Sequence, residues 1–259
     1  EDITDKNYTK RAIEVYEELQ ENVKNIKVLD PACWSWAFLV KVFDFLLEKN
    51  KEISKKLEEL WVNQGLFSTE SYLKTILQNN IYWVDLNEES VEITKLSLWL
   101  KTAQKGKKLA NLDSNIKCWN SLIDDETIAW SKAFVWEKEF SEIFADWGFD
   151  VIVGNPPYGA EIEKISIDTT ETYLLFYKLG INILKKSWIL SFITPDSWLV
   201  NNNASFLREM FIQNWIITDI YDVYKVFVDA PDVWCNIVVF QKDFSKNKVK
   251  ILRNEPYNL

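Results

Sequence analysis

Residues 149–158 read Phe-Asp-Val-Ile-Val-Gly-Asn-Pro-Pro-Tyr, and the paired prolines fix what this stretch can become. Phe149 and Val151 to Val153 form an apolar run bounded by turn signals, the pattern of a short buried strand. Pro156 and Pro157 have no N–H to give to a ladder, so the strand must stop before them. The result is a stiff, extended tetrapeptide at the carboxyl end of a strand. It presents the Asn155 amide, the Pro156 carbonyl and the Tyr158 ring.

That set suits the alkylation of an exocyclic amine on a flat ring. Such an amine is a poor nucleophile because its lone pair is delocalised into the ring. The Asn155 side-chain oxygen and the Pro156 carbonyl can accept its two N–H groups and favour the pyramidal nitrogen that forms during attack. Tyr158 can stack on the ring, as aromatic side chains do on extruded bases. The plainer alternative is an Asn-Pro turn that only closes a strand.

In chain order, apolar or aromatic residues at Tyr8, Ala12, Val15, Tyr16, Leu19 and Val23 predict a helix over 8–23. Ile26 to Leu29 reads as a strand ending at Asp30-Pro31, and a helix resumes from Ala37 through Leu47. Strand, tight turn and helix make the layout of a nucleotide-binding first crossover. Residues 48–80 are charged, and read as a helical or irregular insertion. A second strand, Ile81 to Val84, ends on Asp85, where an acid commonly grips ribose hydroxyls; the alternative is an N-cap for helix 88–103. Ile116 to Cys118 is a third strand, followed by Asn120, which either touches an adenine ring or serves as a turn residue. Helices at 171–185 and 206–212 and strands at 189–194, 216–221 and 236–241 complete the pattern, the last strand expected to be antiparallel. These elements predict an α/β fold. Its mostly parallel seven-stranded sheet contains one antiparallel strand and carries helices on both faces. The tail from Asp243 is either a last edge strand or the start of another domain.

Composition excludes some chemistry. The 259 residues include no histidine, which removes His-based bases, triads and zinc sites. Amine alkylation survives that exclusion, because the proton can leave after the new bond forms. Cys33, Cys118 and Cys235 are odd in number and without metal-ligand spacing, the pattern of reduced cytosolic thiols, and no metal is expected. No apolar run approaches the ~18 residues of a membrane span. A net charge of −9 argues against an unaided grip on a phosphate backbone.

With these pieces placed, the chain resembles the N6-adenine DNA methyltransferases of restriction-modification systems, and within them the Eco57I-type group with its Asn-Pro-Pro-Tyr motif. The resemblance covers roughly residues 26–241. Val28 to Leu39 looks like the family's S-adenosylmethionine loop, which implies cofactor contacts from Asp30, Pro31, Ala32, Cys33, Trp34, Ser35 and Trp36. Tyr82 to Asn87 resembles its ribose-binding strand end, with Asp85 and Leu86, and Ile116 to Leu122 the segment beside the cofactor adenine, with Asn120 and Ser121. Phe149 to Tyr158 resembles the catalytic motif, which makes Asn155, Pro156, Pro157 and Tyr158 the catalytic set. Ile189 to Leu199 and Lys225 to Phe240 look like later strand motifs, with Phe227 as a second contact to the flipped base.

The resemblance implies a Rossmann-like class I methyltransferase domain over 1–259 that transfers methyl from S-adenosylmethionine to adenine N6 in double-stranded DNA. It implies a cytoplasmic protein with a restriction endonuclease as a fused or separate partner. The loop between Tyr158 and Thr172 is shorter than in many relatives, and no target-recognition domain is visible. A basic recognition region is therefore expected outside this chain. Methylation of a protein glutamine or an RNA base is the second enzymatic reading.

The sequence departs from the family at its glycines. The family loop reads Asp-Pro-Ala-Cys-Gly-Ser-Gly, and here Trp34 and Trp36 stand at the two glycines. Trp83, Trp119, Trp147 and Trp188 also fall where the family pattern favours glycine, in a chain with 13 Trp and 6 Gly. Backbone at such positions must approach the cofactor closely or adopt positive φ. The expectation is that UGA codons meaning glycine have been written as tryptophan. Trp99, Trp136 and Trp198 read as ordinary tryptophans. If Trp34 and Trp36 are genuine, the alternative is a catalytically silent DNA-binding subunit.

Overall fold

The structure is a computed structural model that describes residues 2–32, 37–60, 69–103, 110–159, 171–214, 216–223, 227, 233–241 and 250–253. Helix α1 (Asp2–Asn25) precedes strand β1 (Val28–Asp30). Helices α2 (Ala37–Leu60) and α3 (Thr69–Thr75) and a π-helical turn (Ile76–Asn80) lead to β2 (Ile81–Asp85). Helix α4 (Glu88–Thr102) leads to β3 (Ile116–Cys118). Three short helices, α5 (Glu126–Ala129), α6 (Trp136–Glu139) and α7 (Ser141–Ala145), approach β4 (Phe149–Gly154). Helix α8 (Thr172–Ile183), β5 (Leu184–Pro195), α9 (Ser205–Asn214), β6 (Ile216–Val223), β7 (Cys235–Gln241) and β8 (Lys250–Arg253) complete the chain order.

The strands form one sheet in the order β3-β2-β1-β4-β5-β7-β6-β8. Strand β7 is antiparallel to β5 and β6, and every other pair is parallel. The seven expected strands stand in place, and β8 extends the sheet beside β6, as one reading of the tail allows. Each face buries its own apolar layer. On one, α8 and α9 set Tyr173, Phe176, Tyr177 and Phe211 against Ile152, Leu190, Val238 and Phe240. On the other, α2 and α4 set Leu39, Phe43, Val91 and Leu98 against Ile81, Trp83 and Ile116.

Three boundaries differ from the sequence pattern. Helix α2 does not stop near Leu47 but runs on to Leu60, with Ile53 still buried. Its far half is held by Tyr72, whose hydroxyl meets Ser54 Oγ and accepts from Gln20 Nε2 of α1 at 3.0 Å. Strand β1 begins at Val28 because Ile26 N still donates to Asn22 O at the end of α1. The buried Asn80 side chain then donates to the carbonyls of Val23, Lys24 and Ile26, which fixes the angle at which α1 hands over to β1. Strand β5 starts early, at Leu184, and reaches β4 through a bulge between the Phe149–Leu184 and Val151–Ile189 pairs.

Candidate active site

The carboxyl ends of four adjacent parallel strands, β3, β2, β1 and β4, carry the expected residues. Order reverses between β1 and β4, the topological switch point where open α/β sheets bind ligands. At the end of β1, Asp30 is fully buried and its Oδ1 accepts from Ala32 N at 3.1 Å, turning the chain at buried Pro31. Gly154, at the end of β4, lies against it, and a Cβ there would stand 2.7 Å from Asp30 Oδ1. Only glycine lets the two strand ends come this close.

One strand over, Asp85 is buried at the end of β2, and burial pushes its carboxyl up to about 6. The backbone N–H groups of Asn87 and Leu86 pull the other way, and Asn87 N reaches Asp85 Oδ1 at 2.7 Å. The N-cap of α4 is Asn87, whose Oδ1 accepts from Ser90 N at 2.9 Å, so Asp85 is not spent on capping. Leu86 is exposed beside it. The next segment is pinned on both sides: Trp119 N donates to Asp85 O at 2.8 Å, and buried Ser121 donates from Oγ to Pro31 O at 2.6 Å. Asn120 Oδ1 accepts from Leu122 N at 3.1 Å, which is the turn role left open by the sequence.

Asn155 and the buried Pro156 continue directly from Gly154. The Tyr158 hydroxyl donates to Asn155 Oδ1 at 2.8 Å and lies 3.3 Å from Ile193 O. Burial, with Cys235 beside it, raises the phenol well above its ordinary pKa and keeps it a donor. The Tyr158 ring meets Tyr173 edge-on at 6.4 Å and Phe227 at 6.1 Å. Phe227 therefore lies beside Tyr158 of the Asn-Pro-Pro-Tyr segment. The sequence pattern gives no sign of Cys235 at this site. It arrives through the β5–β7 pairing of Pro195 with Cys235, and its Sγ is 3.9 Å from the Tyr158 hydroxyl.

Cys33, Trp34, Ser35 and Trp36 lie outside the described residues. The remaining tryptophans divide by their indole N–H. Trp99, Trp136 and Trp198 donate to Ala110 O, Ser121 O and Asn236 Oδ1 at 2.8, 3.0 and 3.0 Å. Trp83 is fully buried with its Nε1 unpaired among the described residues. Trp147 is 86% exposed with φ +69°, a left-handed conformation that suits glycine. Trp119 packs against Phe134, and Trp188 is partly exposed on β5.

This sheet order, with its acids at two strand ends and a proline-locked edge on a third, is the Rossmann-like class I methyltransferase fold. The M protein of the type I restriction enzyme EcoKI shares it with a TM-score of 0.58 and 16% identity, over 90% of this chain and 47% of that one. So does a nuclease-deletion mutant of the type ISP restriction-modification enzyme LlaGI, solved with a DNA substrate mimic. Its TM-score is 0.63 at 15% identity, over 88% of this chain and 21% of that one. Residues 79–227, more than half of the sequence, match the Eco57I restriction-modification methylases, and the chain belongs to that family. The type II restriction enzyme and methyltransferase RM.Eco57I of Escherichia coli is 26% identical over 249 residues, covering 82% of this chain and 24% of that protein. The chain thus spans less than half the length of each of these proteins.

Proposed function

We propose that this chain methylates the N6 amine of a flipped-out adenine in DNA, with S-adenosylmethionine as donor, as the modifying part of a restriction-modification system. The observation that carries the proposal is the contact of Gly154 with Asp30, which sets Asn155 beside the loop expected to hold the donor. Two oxygens, Asn155 Oδ1 and the Pro156 carbonyl, accept the N–H groups of the amine and favour its pyramidal form. Tyr158 and Phe227, edge-on to each other in this structure, supply the two rings that open to take the base between them. With no histidine in the chain, the proton leaves the alkylated nitrogen to solvent.

The described residues fit the cofactor. Asp85 offers a buried acceptor to vicinal hydroxyls and is free of capping duty. This reading assigns Asp30, Pro31 and Ala32 to the methionine portion, with Cys33, Trp34, Ser35 and Trp36 next in the sequence, and Leu86, Asn120 and Ser121 to the adenine side. When bound, S-adenosylmethionine supplies an electrophilic methyl group. The net charge of −9 supports a DNA grip from a basic recognition region outside this chain, with a restriction endonuclease domain or subunit as partner. Among the described residues no helix is long and apolar enough to cross a membrane, which fits the expected cytoplasmic setting.

The test is a full-length protein with glycine at positions 34 and 36, incubated with radiolabelled cofactor and a pool of duplex DNA. Label recovered as N6-methyladenine after digestion supports the reading. Label in protein glutamine or RNA, or none in DNA, rejects it.

A further inference from the structure

The hydroxyl of Tyr158 stands where the substrate amine would seek an acceptor. Its proton goes to Asn155 Oδ1 at 2.8 Å, with Ile193 O a second acceptor at 3.3 Å and the Cys235 thiol 3.9 Å away. The ring is equally committed. Tyr173 meets it at 87° and Phe227 at 69°, with the Phe227 centroid 6.1 Å away. A flat base between Tyr158 and Phe227 needs carbon contacts of about 3.5–4.0 Å on each side, or about 7–8 Å in all. An edge-on pair at 6.1 Å leaves no such slot. Two independent observations, the hydrogen bond and the ring spacing, describe the same closed state.

We propose that Tyr158 is a latch. Its hydroxyl bond to Asn155 and Ile193 holds its ring closed against Phe227 over the catalytic amide, and a base enters only by breaking that bond. The inference rests on the reading of this site as a base-binding site. On arrival, the amine of the base replaces the tyrosine hydroxyl as donor to Asn155 Oδ1, so one hydrogen bond is exchanged for another while the ring swings to stack. A ring that cannot replace that donor, such as one with no exocyclic amine, leaves the latch bond uncompensated. The latch therefore discriminates for an amine before any chemistry occurs.

The experiment uses the full-length protein and a short single-stranded oligothymidylate carrying one 2-aminopurine, so that duplex recognition and base extrusion play no part. Fluorescence quenching reports stacking of the probe. Tyr158→Phe keeps the ring and removes the latch, and we expect it to bind the probe about fivefold more tightly, the factor carried by one neutral hydrogen bond of about 1 kcal/mol. Equal or weaker binding by Tyr158→Phe, with quenching intact in the unaltered protein, overturns the latch and leaves the base site standing. No quenching with either protein overturns both. Should Tyr158→Phe not fold, 3-fluorotyrosine at position 158 in an otherwise unaltered protein decides the matter. Its fluorine resonance should move as adenosine saturates the site, and a resonance that stays put overturns the proposal.

Discussion

A Cβ built on Gly154 would stand 2.7 Å from Oδ1 of Asp30, so the ends of β4 and β1 meet with no space for a methyl group. Gly154 ends β4, which is paired on both edges, and the obstructing oxygen belongs to a fully buried side chain held by Ala32 N, so neither can shift cheaply. Gly154→Ala should destabilise the protein by about 1–3 kcal/mol, the usual cost of overpacking. It should also weaken cofactor binding, because Asp30 holds the turn through Ala32 N. Urea unfolding measures the first effect and titration calorimetry the second. An unchanged urea midpoint would show that the strand ends can part.

Asn155 extends from β4 on a backbone locked by Pro156 and Pro157, and its Oδ1 is held by the Tyr158 hydroxyl. Asn155→Ala should lower kcat on the order of 10²–10³-fold, the scale of losing one preorganised polar group at the reacting centre. Cofactor affinity should be largely spared. Joint loss of turnover and cofactor affinity would contradict the role given to the amide.

The carboxyl of Asp85 is raised from 3.8 to about 6 by burial, so its charge is lost within a mildly acidic range. On the proposed role of Asp85 as acceptor from the ribose hydroxyls, cofactor affinity should fall below about pH 6, by up to roughly tenfold per pH unit for one required deprotonation. Asp85→Asn should bind weakly at all pH values without that step. For stability the sign is the reverse. Between 3.8 and about 6 the folded state holds a proton that the unfolded chain has released, so this group's contribution grows as pH falls through that window. Calorimetry across pH 5–8 and melting of Asp85→Asn beside the parent protein separate the two effects.

Trp147 combines high exposure with φ +69°, beside Gly148 at φ +113°. A side chain in the left-handed region costs roughly 1–2 kcal/mol, and this one gains almost no burial in return. Trp147→Gly should therefore raise Tm by about 2–4 °C for each kcal/mol relieved in a chain of this size. The family pattern at the loop and strand ends predicts that peptides of the natural protein carry glycine at positions 34, 36, 83, 119, 147 and 188 and tryptophan at 99, 136 and 198. Tandem mass spectrometry reads each position directly, and a tryptophan mass at 34 or 36 would end the codon argument.

Much of the candidate site's backbone framework was legible because its signals are local. The Pro156-Pro157 pair stops a strand wherever it occurs, and Asp30 and Asp85 each come directly after an apolar run. Whether Asp85 caps α4 was not legible, since the cap falls to Asn87 only once the residue at which β2 stops is known. Nor was the length of α2, whose second half buries little beyond Ile53 and is held by Tyr72, a partner 18 residues away. The meeting of Cys235 with Tyr158 depends on the antiparallel register of β5 and β7, which no pattern along the chain reports.

The foot of β1 is tied to the foot of β4 by Lys27, whose N–H donates to Asp150 Oδ2 at 2.7 Å and whose carbonyl accepts from the backbone of both Asp150 and Val151. The first of those bonds spans 123 residues. During synthesis, a ribosome exposes the loop at Asp30 long before the strand that must dock beside it. The turn at Asp30 therefore gains its neighbouring wall only after residue 154 has cleared the exit tunnel, and its completion marks the moment at which that distant pairing has been made.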